Sequence, residues 1–525
     1  MASQTSSPTS GSLQRETFKA FRSVSANLVL KGASFVAGFL FQILYARQLG
    51  AGGLSRIALA MSVISLATVL CNLSMDAALV RFAPRFRHTG EFAARLGGYL
   101  SFSIRITVPL ALAGALVFTV GRAYLSRKIS PGADISYELL CLAPLLVLSV
   151  WSMQEGGAMR ANEDFVQYSI TNDFLPRILQ GFAYVGVGYF LVSRENAWLA
   201  AYALSVAVPL VMKIVIVRRS LGTHQLLPRS EVGPEAKREV LAFSLKTIFY
   251  SLLSTSMAQS ARLLLGVFGA AEGAGIYMVI ESLSIVLLFI RDAMGTVLNP
   301  QVARLYAQGQ EAMMISLYRR LSRWALLICM PYSLVLMLNS HAVLGLYGTA
   351  FANGASALVV LITAQFVVVV MGLNGNLLYM SGGENFMVSL QTASLGTMLL
   401  LGCVLIPRYG MVGGAMAMGV ATVSMSCLLL WRVKRRFKVT QFDRRTWRTL
   451  AVCLSDGAFV WVWTKQVHFI RPVALDLVVK VLLAYAVCAA ATALLDRREE
   501  DREIMQSIRE RLCRRQGGAG QGGES

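Results

Sequence analysis

The sequence predicts an all-α, polytopic membrane protein of about fourteen transmembrane helices. Two six-helix pseudo-repeat bundles surround a central cavity, and two extra C-terminal helices follow. Three observations lead there. Of the 525 residues 55% are apolar and only 15% charged, and the mean hydropathy is +0.58, a balance that water-soluble chains of this length rarely reach. Apolar runs of about 20 residues recur down the chain, the length needed to cross a hydrocarbon core about 30 Å thick at 1.5 Å per residue. The chain also echoes itself. The stretch 46–57, with Gly50 at its centre, recurs in outline as 265–277 around Gly269; Ala200 to Leu204 with Val206 and Arg218 lines up with Gly414 to Met418 with Val420 and Arg432. Duplicated membrane halves are the usual build of a transporter that rocks about a central site.

Taken in order, residues 1–24 form a Ser/Thr-rich N-terminal tail carrying Arg15, Lys19 and Arg22. It lacks the short apolar stretch and cleavage site of a secretory signal, so the first span is expected to be retained. The first half, 25–219, holds spans at 25–46, 56–78, 96–120, 137–153, 170–192 and 198–217. A linker, 220–239, leads to the second half, 240–435, with spans at 240–269, 275–297, 324–346, 355–380, 386–406 and 411–430. Pro109, Pro144, Pro209 and Pro331 mark expected kinks. A basic loop, 436–448, precedes the extra pair 449–495, with spans at 449–463 and 473–495. The tail, 496–525, is charged and then Gly-rich, with Ile504, Ile508 and Leu512 on one helical face.

A net charge of +21 invites a nucleic-acid reading, and its distribution argues against one. Most of the 49 Lys and Arg fall on the side of the N-terminus, the asymmetry of the positive-inside rule. Both termini are therefore expected in the cytoplasm, and the protein in the cell membrane. The richest segment, with Arg432, Lys434, Arg435, Arg436, Lys438, Arg444, Arg445 and Arg448, is expected to anchor on anionic lipid. The eight cysteines form no C-x-x-C pair and lie mostly in helices as small packing residues.

Catalytic chemistry is hard to find. His88, His224, His341 and His468 are scattered without metal-ligand or nucleophile spacing, and there is no phosphate-binding glycine-lysine loop. A glycan polymerase or membrane glycosyltransferase would need an outer loop larger than any here. The expectation is a non-enzyme with no metal and no cofactor beyond a coupling H+ or Na+.

Charges inside the spans carry more information. A charge at the bilayer centre costs about 2.5–3.5 kcal/mol even at the low end, so a deep one faces a wet cavity or a partner. Lys31, Arg105, Arg177, Lys213, Lys246, Arg262 and Lys480 lie within spans. Lys213 is expected to snorkel to the surface, as are Arg105 and Arg262, and Lys480 to pair with Asp476 one turn away. Lys31 and Lys246 occupy the first helix of each half at similar depth and are expected to line a cavity built for an anion. Glu281 is the acidic residue placed to balance these cations or carry a coupling proton; a structural bridge to Arg262 or Lys246 is the alternative. Polar stripes add Asn72 and Asp76 in the second span, Gln42 in the first, and Gln365 and Asn376 in the tenth. These line the cavity or tie helices together. Asp173, Pro176 and Arg177 form a polar knot in the fifth span, and Arg177 and Arg262 join Lys31, Lys246, Glu281, Asn72, Asp76, Gln42, Gln365 and Asn376 as the ten candidates for lining the substrate cavity.

Ala46 to Gly50, then Met75-Asp76-Ala77-Ala78-Leu79-Val80-Arg81, and later Leu405 to Ala415, occur in an order and spacing that resembles the polysaccharide transporter family. These are the Wzx-type O-antigen and exopolysaccharide flippases of the multidrug/oligosaccharidyl-lipid/polysaccharide (MOP) flippase superfamily, and the resemblance covers roughly 27–435. Two positions depart from it: Ala261 stands where the family usually has Asp before the Arg matched by Arg262, and Glu384 where a basic residue is common. The resemblance implies a cargo of polyprenyl diphosphate carrying a sugar repeat unit, moved across the membrane by alternating access. It implies as partners the lipid-linked oligosaccharide, membrane lipids, and a polysaccharide polymerase with its chain-length machinery, and no nucleic acid. A drug/cation antiporter and a peptidoglycan-precursor flippase are the neighbouring alternatives, and a non-transporting assembly scaffold a more distant one.

Overall fold

The computed structural model describes residues 10–86, 91–190, 193–222, 232–381, 384–439 and 473–495, with 442, 446, 447 and 449. Every regular element among them is a helix. Lipid offers no partner to a backbone N–H or C=O, and a helix satisfies both internally.

Helical residues run without interruption over Ser10–Asn72, yet Gly50 has φ 67° and ψ 179°. Only glycine adopts that region at low cost, and it turns the chain sharply. The result is two helices, α1 (residues 10–49) and α2 (51–72). Leu73 and Ser74, both at positive φ, then lead into α3, Met75–Phe82. The first half continues with α4 (Phe92–Ile129), α5 (Ser136–Ala161), α6 (residues 165–190) and α7 (Arg194–Ser220). A π-helical turn, Ile170–Phe174, interrupts α6.

The second half opens with α8 (Pro234–Val267) and α9 (Ala271–Ala307), separated by a turn whose Gly269 has φ 76°. The two glycines paired by the sequence echo thus both have positive φ where one helix gives way to the next. Then come α10 (Glu311–Leu338), α11 (Ser340–Gly345), α12 (Ala355–Val370) and α13 (Asn374–Met380). The stretch Glu384–Phe437 breaks at Gly410, φ 54°, into α14 (384–409) and α15 (411–437). Last is α16, Val473–Leu495.

Among the described residues nine helices are long and apolar enough to cross a membrane, the bent stretches containing Gly50 and Gly410 each counting once. This is the expected all-α polytopic fold. The expected span at 449–463 apart from its first residue, the basic residues Arg444, Arg445 and Arg448, and the tail helix lie outside the described residues.

Among the described residues, two of the seams between the halves are formed by α1 with α9 and by α3 with α8. Along the first, the Phe35 and Phe289 ring centroids are 4.7 Å apart, and Ser282 Oγ donates to Gln42 Oε1 at 2.7 Å. Along the second, the Ser74 hydroxyl donates to Ser251 Oγ at 3.0 Å, and the Phe82 and Phe243 rings meet edge-on at 5.6 Å. At the glycine-turn end, the Gly275 N–H donates to Ser55 Oγ at 2.8 Å. A Cβ on Gly275 would lie 2.7 Å from the Ala51 carbonyl oxygen, so glycine is what allows this close approach.

Candidate functional site

Between the halves lies a cavity of about 460 Å³. On α1 the wall is Phe35, Gly38, Phe39, Phe41, Gln42 and Tyr45, the inward stripe of one helix face. Met61 and Ser65 come from α2, Arg177 and Gln180 from α6, and Trp198 and Tyr202 from α7. The second half supplies Gln259 and Arg262 from α8 and Met278, Glu281, Ser282 and Ile285 from α9. Amides and hydroxyls therefore alternate with aromatic rings around the wall. Trp198 and Tyr202, one turn apart, stack at 5.3 Å with planes 8° apart.

Three lining residues are charged: Arg177, Arg262 and Glu281, leaving one positive charge in excess. Arg262 Nε lies 2.8 Å from Glu281 Oε2 across the α8–α9 interface, and Arg262 Nη2 donates to Gln259 Oε1 at 2.7 Å. Arg177 makes no ion pair among the described residues. Its guanidinium carbon sits 4.6 Å above the Phe35 ring, and its stem passes Gly38, where a Cβ would lie 3.3 Å from Arg177 Cδ. Asp173, inside the π-turn, lies 4.0 Å from Lys31, and Arg177, one turn further along α6, packs on Phe35 of the same α1 face and lines the cavity.

Of the ten candidate residues, the fold brings Gln42, Arg177, Arg262 and Glu281 together around this cavity. Lys31 and Lys246 are not among the lining side chains: Lys31 is paired with Asp173, and Lys246 is exposed on α8. The cavity's cations are instead arginines, Arg177 on α6 and Arg262 far along α8 from Lys246. Asn72 and Asp76 tie α2 and α3 to α5. Asn72 Nδ2 donates to Asp76 Oδ1, Gln154 Nε2 to Asn72 Oδ1, and Arg160 Nη2 to Asp76 Oδ2, each at 2.7 Å. Gln365 is buried on α12, and Asn376 Nδ2 donates to Asn299 Oδ1 at 3.0 Å, away from the cavity. For Asn72, Asp76 and Asn376 the helix-tying alternative is the one realised.

Two expectations for single charges are corrected. Lys213 does not snorkel; it is buried, and its Nζ donates to Ser152 Oγ at 2.9 Å and Asn172 Oδ1 at 3.0 Å. Helices α5 and α6 close over it on the side where water was expected. Arg262 does not snorkel either, because Glu281 holds it at the cavity wall. Lys480 does pair with Asp476, at 2.7 Å, and also donates to Asn339 Oδ1 at 3.3 Å. The sequence reading missed Gln180, Trp198, Tyr202 and Gln259. Gln259 and Gln180 each lie three residues from a cavity arginine, a spacing that could have found them. Among the described residues no group of His, Cys, Asp and Glu could hold a metal ion.

A family model described as "Polysaccharide biosynthesis protein" matches residues 44–356, more than half of the chain. The chain belongs to this family. No curated protein matches it. Among solved structures it is similar to the lipid II flippase MurJ in an inward closed conformation, with TM-score 0.70 and 12% identity over 89% of this chain and 99% of that one. It is also similar to an inward-facing multidrug resistance MATE family transporter of the MOP superfamily, with TM-score 0.57 and 14% identity over 78% of this chain and 94% of that one. A MOP superfamily transporter from Pyrococcus furiosus gives 0.55 and 14% over 79% and 95%. At these identities the likeness is one of fold. The chain is a multi-pass membrane protein with the fold of the MOP transporters.

Proposed function

We propose that the chain is a flippase that carries polyprenyl-diphosphate-linked oligosaccharide repeat units from the cytoplasmic to the outer leaflet of the cell membrane. The observation that carries this reading is the composition of the cavity: excess positive charge, amides and hydroxyls, and aromatic rings, all at the junction of two helical halves. A sugar hydroxyl buried without a partner costs roughly 2–7 kcal/mol, so a multi-sugar head needs polar walls to cross. Gln42, Gln180, Gln259 and Ser65 offer those partners. Arg177 and Arg262 match the geometry of phosphate oxygens, which guanidinium groups bind in pairs. The prenyl tail stays in lipid while the halves rock about the cavity. Each negative charge that leaves an inside-negative cell gains about 2.3 kcal/mol per 100 mV, so the membrane potential favours outward movement of such a head. A coupling H+ or Na+ would add to that drive, and an outer-face polymerase with its chain-length machinery would consume the product.

Likeness to MurJ favours a second reading, in which the head group is a peptidoglycan precursor. A cation-exporting role fits less well, because the cavity repels organic cations. The test is to delete the gene and ask whether lipid-linked repeat units accumulate on the cytoplasmic leaflet. Accumulation that is relieved by the wild-type chain but not by Arg177→Gln, at equal protein level, is the expected result. Unchanged glycan export with no accumulated lipid sinks the flippase reading; accumulation of peptidoglycan precursor alone selects the second one.

A further inference from the structure

The two cavity arginines are not in equivalent states. Arg177 makes no ion pair among the described residues, whereas Arg262 is already held by Glu281 at 2.8 Å. Side chains of that pair are 14% and 21% exposed, so the bond is partly desolvated yet open to the cavity. Sharing the cavity with it are Gln42 and Tyr45 from α1, Gln180 and Arg177 from α6, Tyr202 from α7 and Gln259 from α8. Arg177 is the one other charge among them. One turn before Glu281 on the same helix, Tyr277 is fully buried, and its hydroxyl has no hydrogen-bond partner.

We propose that Glu281 is a resident competitor for Arg262. Its carboxylate holds the guanidinium while the cavity is empty, and an incoming phosphate or diphosphate displaces it, so that Arg262 joins Arg177 on the ligand. Exchanging one anion for another at a guanidinium avoids leaving a desolvated cation unpaired, which is the costly alternative. A neutral ligand cannot make the exchange. The released carboxylate has the Tyr277 hydroxyl one turn away on its own helix as a replacement donor. The pair thus selects for anionic head groups and marks the loaded cavity by the breaking of an α8–α9 bond. This inference rests on the anion-binding reading of the cavity given above.

The experiment is titration of inorganic pyrophosphate into the purified full-length protein in lipid nanodiscs, followed by calorimetry. Glu281→Gln is expected to bind about tenfold tighter than wild type or better, since the resident anion no longer competes for Arg262. Adding Arg262→Gln to that variant is expected to remove the gain, and Arg177→Gln to weaken binding in either background. Glu281→Asp, which shortens the reach by one methylene while keeping the charge, is expected to show a smaller gain and covers the case in which the Gln variant does not fold. Equal or weaker binding by folded Glu281→Gln and Glu281→Asp overturns the competitor role and leaves the anion cavity standing. Absence of pyrophosphate binding in wild type and variants alike overturns both.

Discussion

At the scale of single residues, the deepest charges serve the architecture of the first half rather than the cavity. Glu155 on α5 and Arg218 on α7 form an ion pair at 2.8 Å with side chains 0% and 6% exposed. Trp151 Nε1 donates to the same carboxylate at 3.0 Å. Breaking such a pair from one side leaves a buried charge and costs about 3–5 kcal/mol, whereas removing both partners is far milder. Glu155→Met is therefore expected to lower the melting temperature in detergent sharply, and the double variant Glu155→Met with Arg218→Met to recover most of the loss. A double variant as unstable as the single one would show that the pair's hydrogen bonds, not its charge balance, matter. The sequence showed Arg218 as a residue repeated by Arg432, but its partner lies 63 positions away and only the packing of α5 on α7 reveals it. Lys480 and Asp476 were legible for the opposite reason: their contact is four residues long.

Among the elements, the glycine turns decide where one long helix becomes two. Gly50 has a backbone conformation that other residues reach at a cost of about 1–3 kcal/mol, with nothing within 4 Å of its missing Cβ. Gly52 also has open space around it and lies in α2 at ordinary helical angles, where alanine is the better helix former by about 0.5–1 kcal/mol. Gly50→Ala is expected to destabilise the protein in thermal unfolding and Gly52→Ala to leave it unchanged or slightly more stable. Equal effects would mean that the turn is set by the surrounding helices and not by Gly50. The sequence echo singled out Gly50 and Gly269 because a turn of this kind leaves a residue-level signature. The π-turn in α6 leaves none; Arg177 was legible as a cavity candidate from its place in the span, while the pairing of Asp173 with Lys31 depends on how α6 packs on α1. Lys31 was expected in the cavity from its depth and from the face it shares with Phe35, Gly38 and Gln42; those three do line the cavity, while Lys31 lies a turn beyond them beside Asp173 and Lys246 is exposed on α8.

For the whole molecule, alternating access requires the two halves to separate first at one end and then at the other. The α3–α8 seam is the place to test it. Ser74 and Ser251 meet through their hydroxyls at 3.0 Å, next to the edge-on Phe82–Phe243 pair and the Arg85–Glu239 ion pair at 3.0 Å. None of these bonds is strong alone: two are partly solvated, and an exposed ion pair contributes about 0–1 kcal/mol. A seam held by several weak contacts can open without a large barrier, which suits a surface that must part in every cycle. Cysteines at Ser74 and Ser251, in a chain whose native cysteines are replaced, are expected to form a disulfide under oxidation. The cross-link should stop accumulation of surface polysaccharide, and reduction should restore it. A cross-linked protein that still exports glycan at the wild-type rate would mean that this seam stays shut throughout the cycle, and that cargo enters and leaves by the α1–α9 side alone.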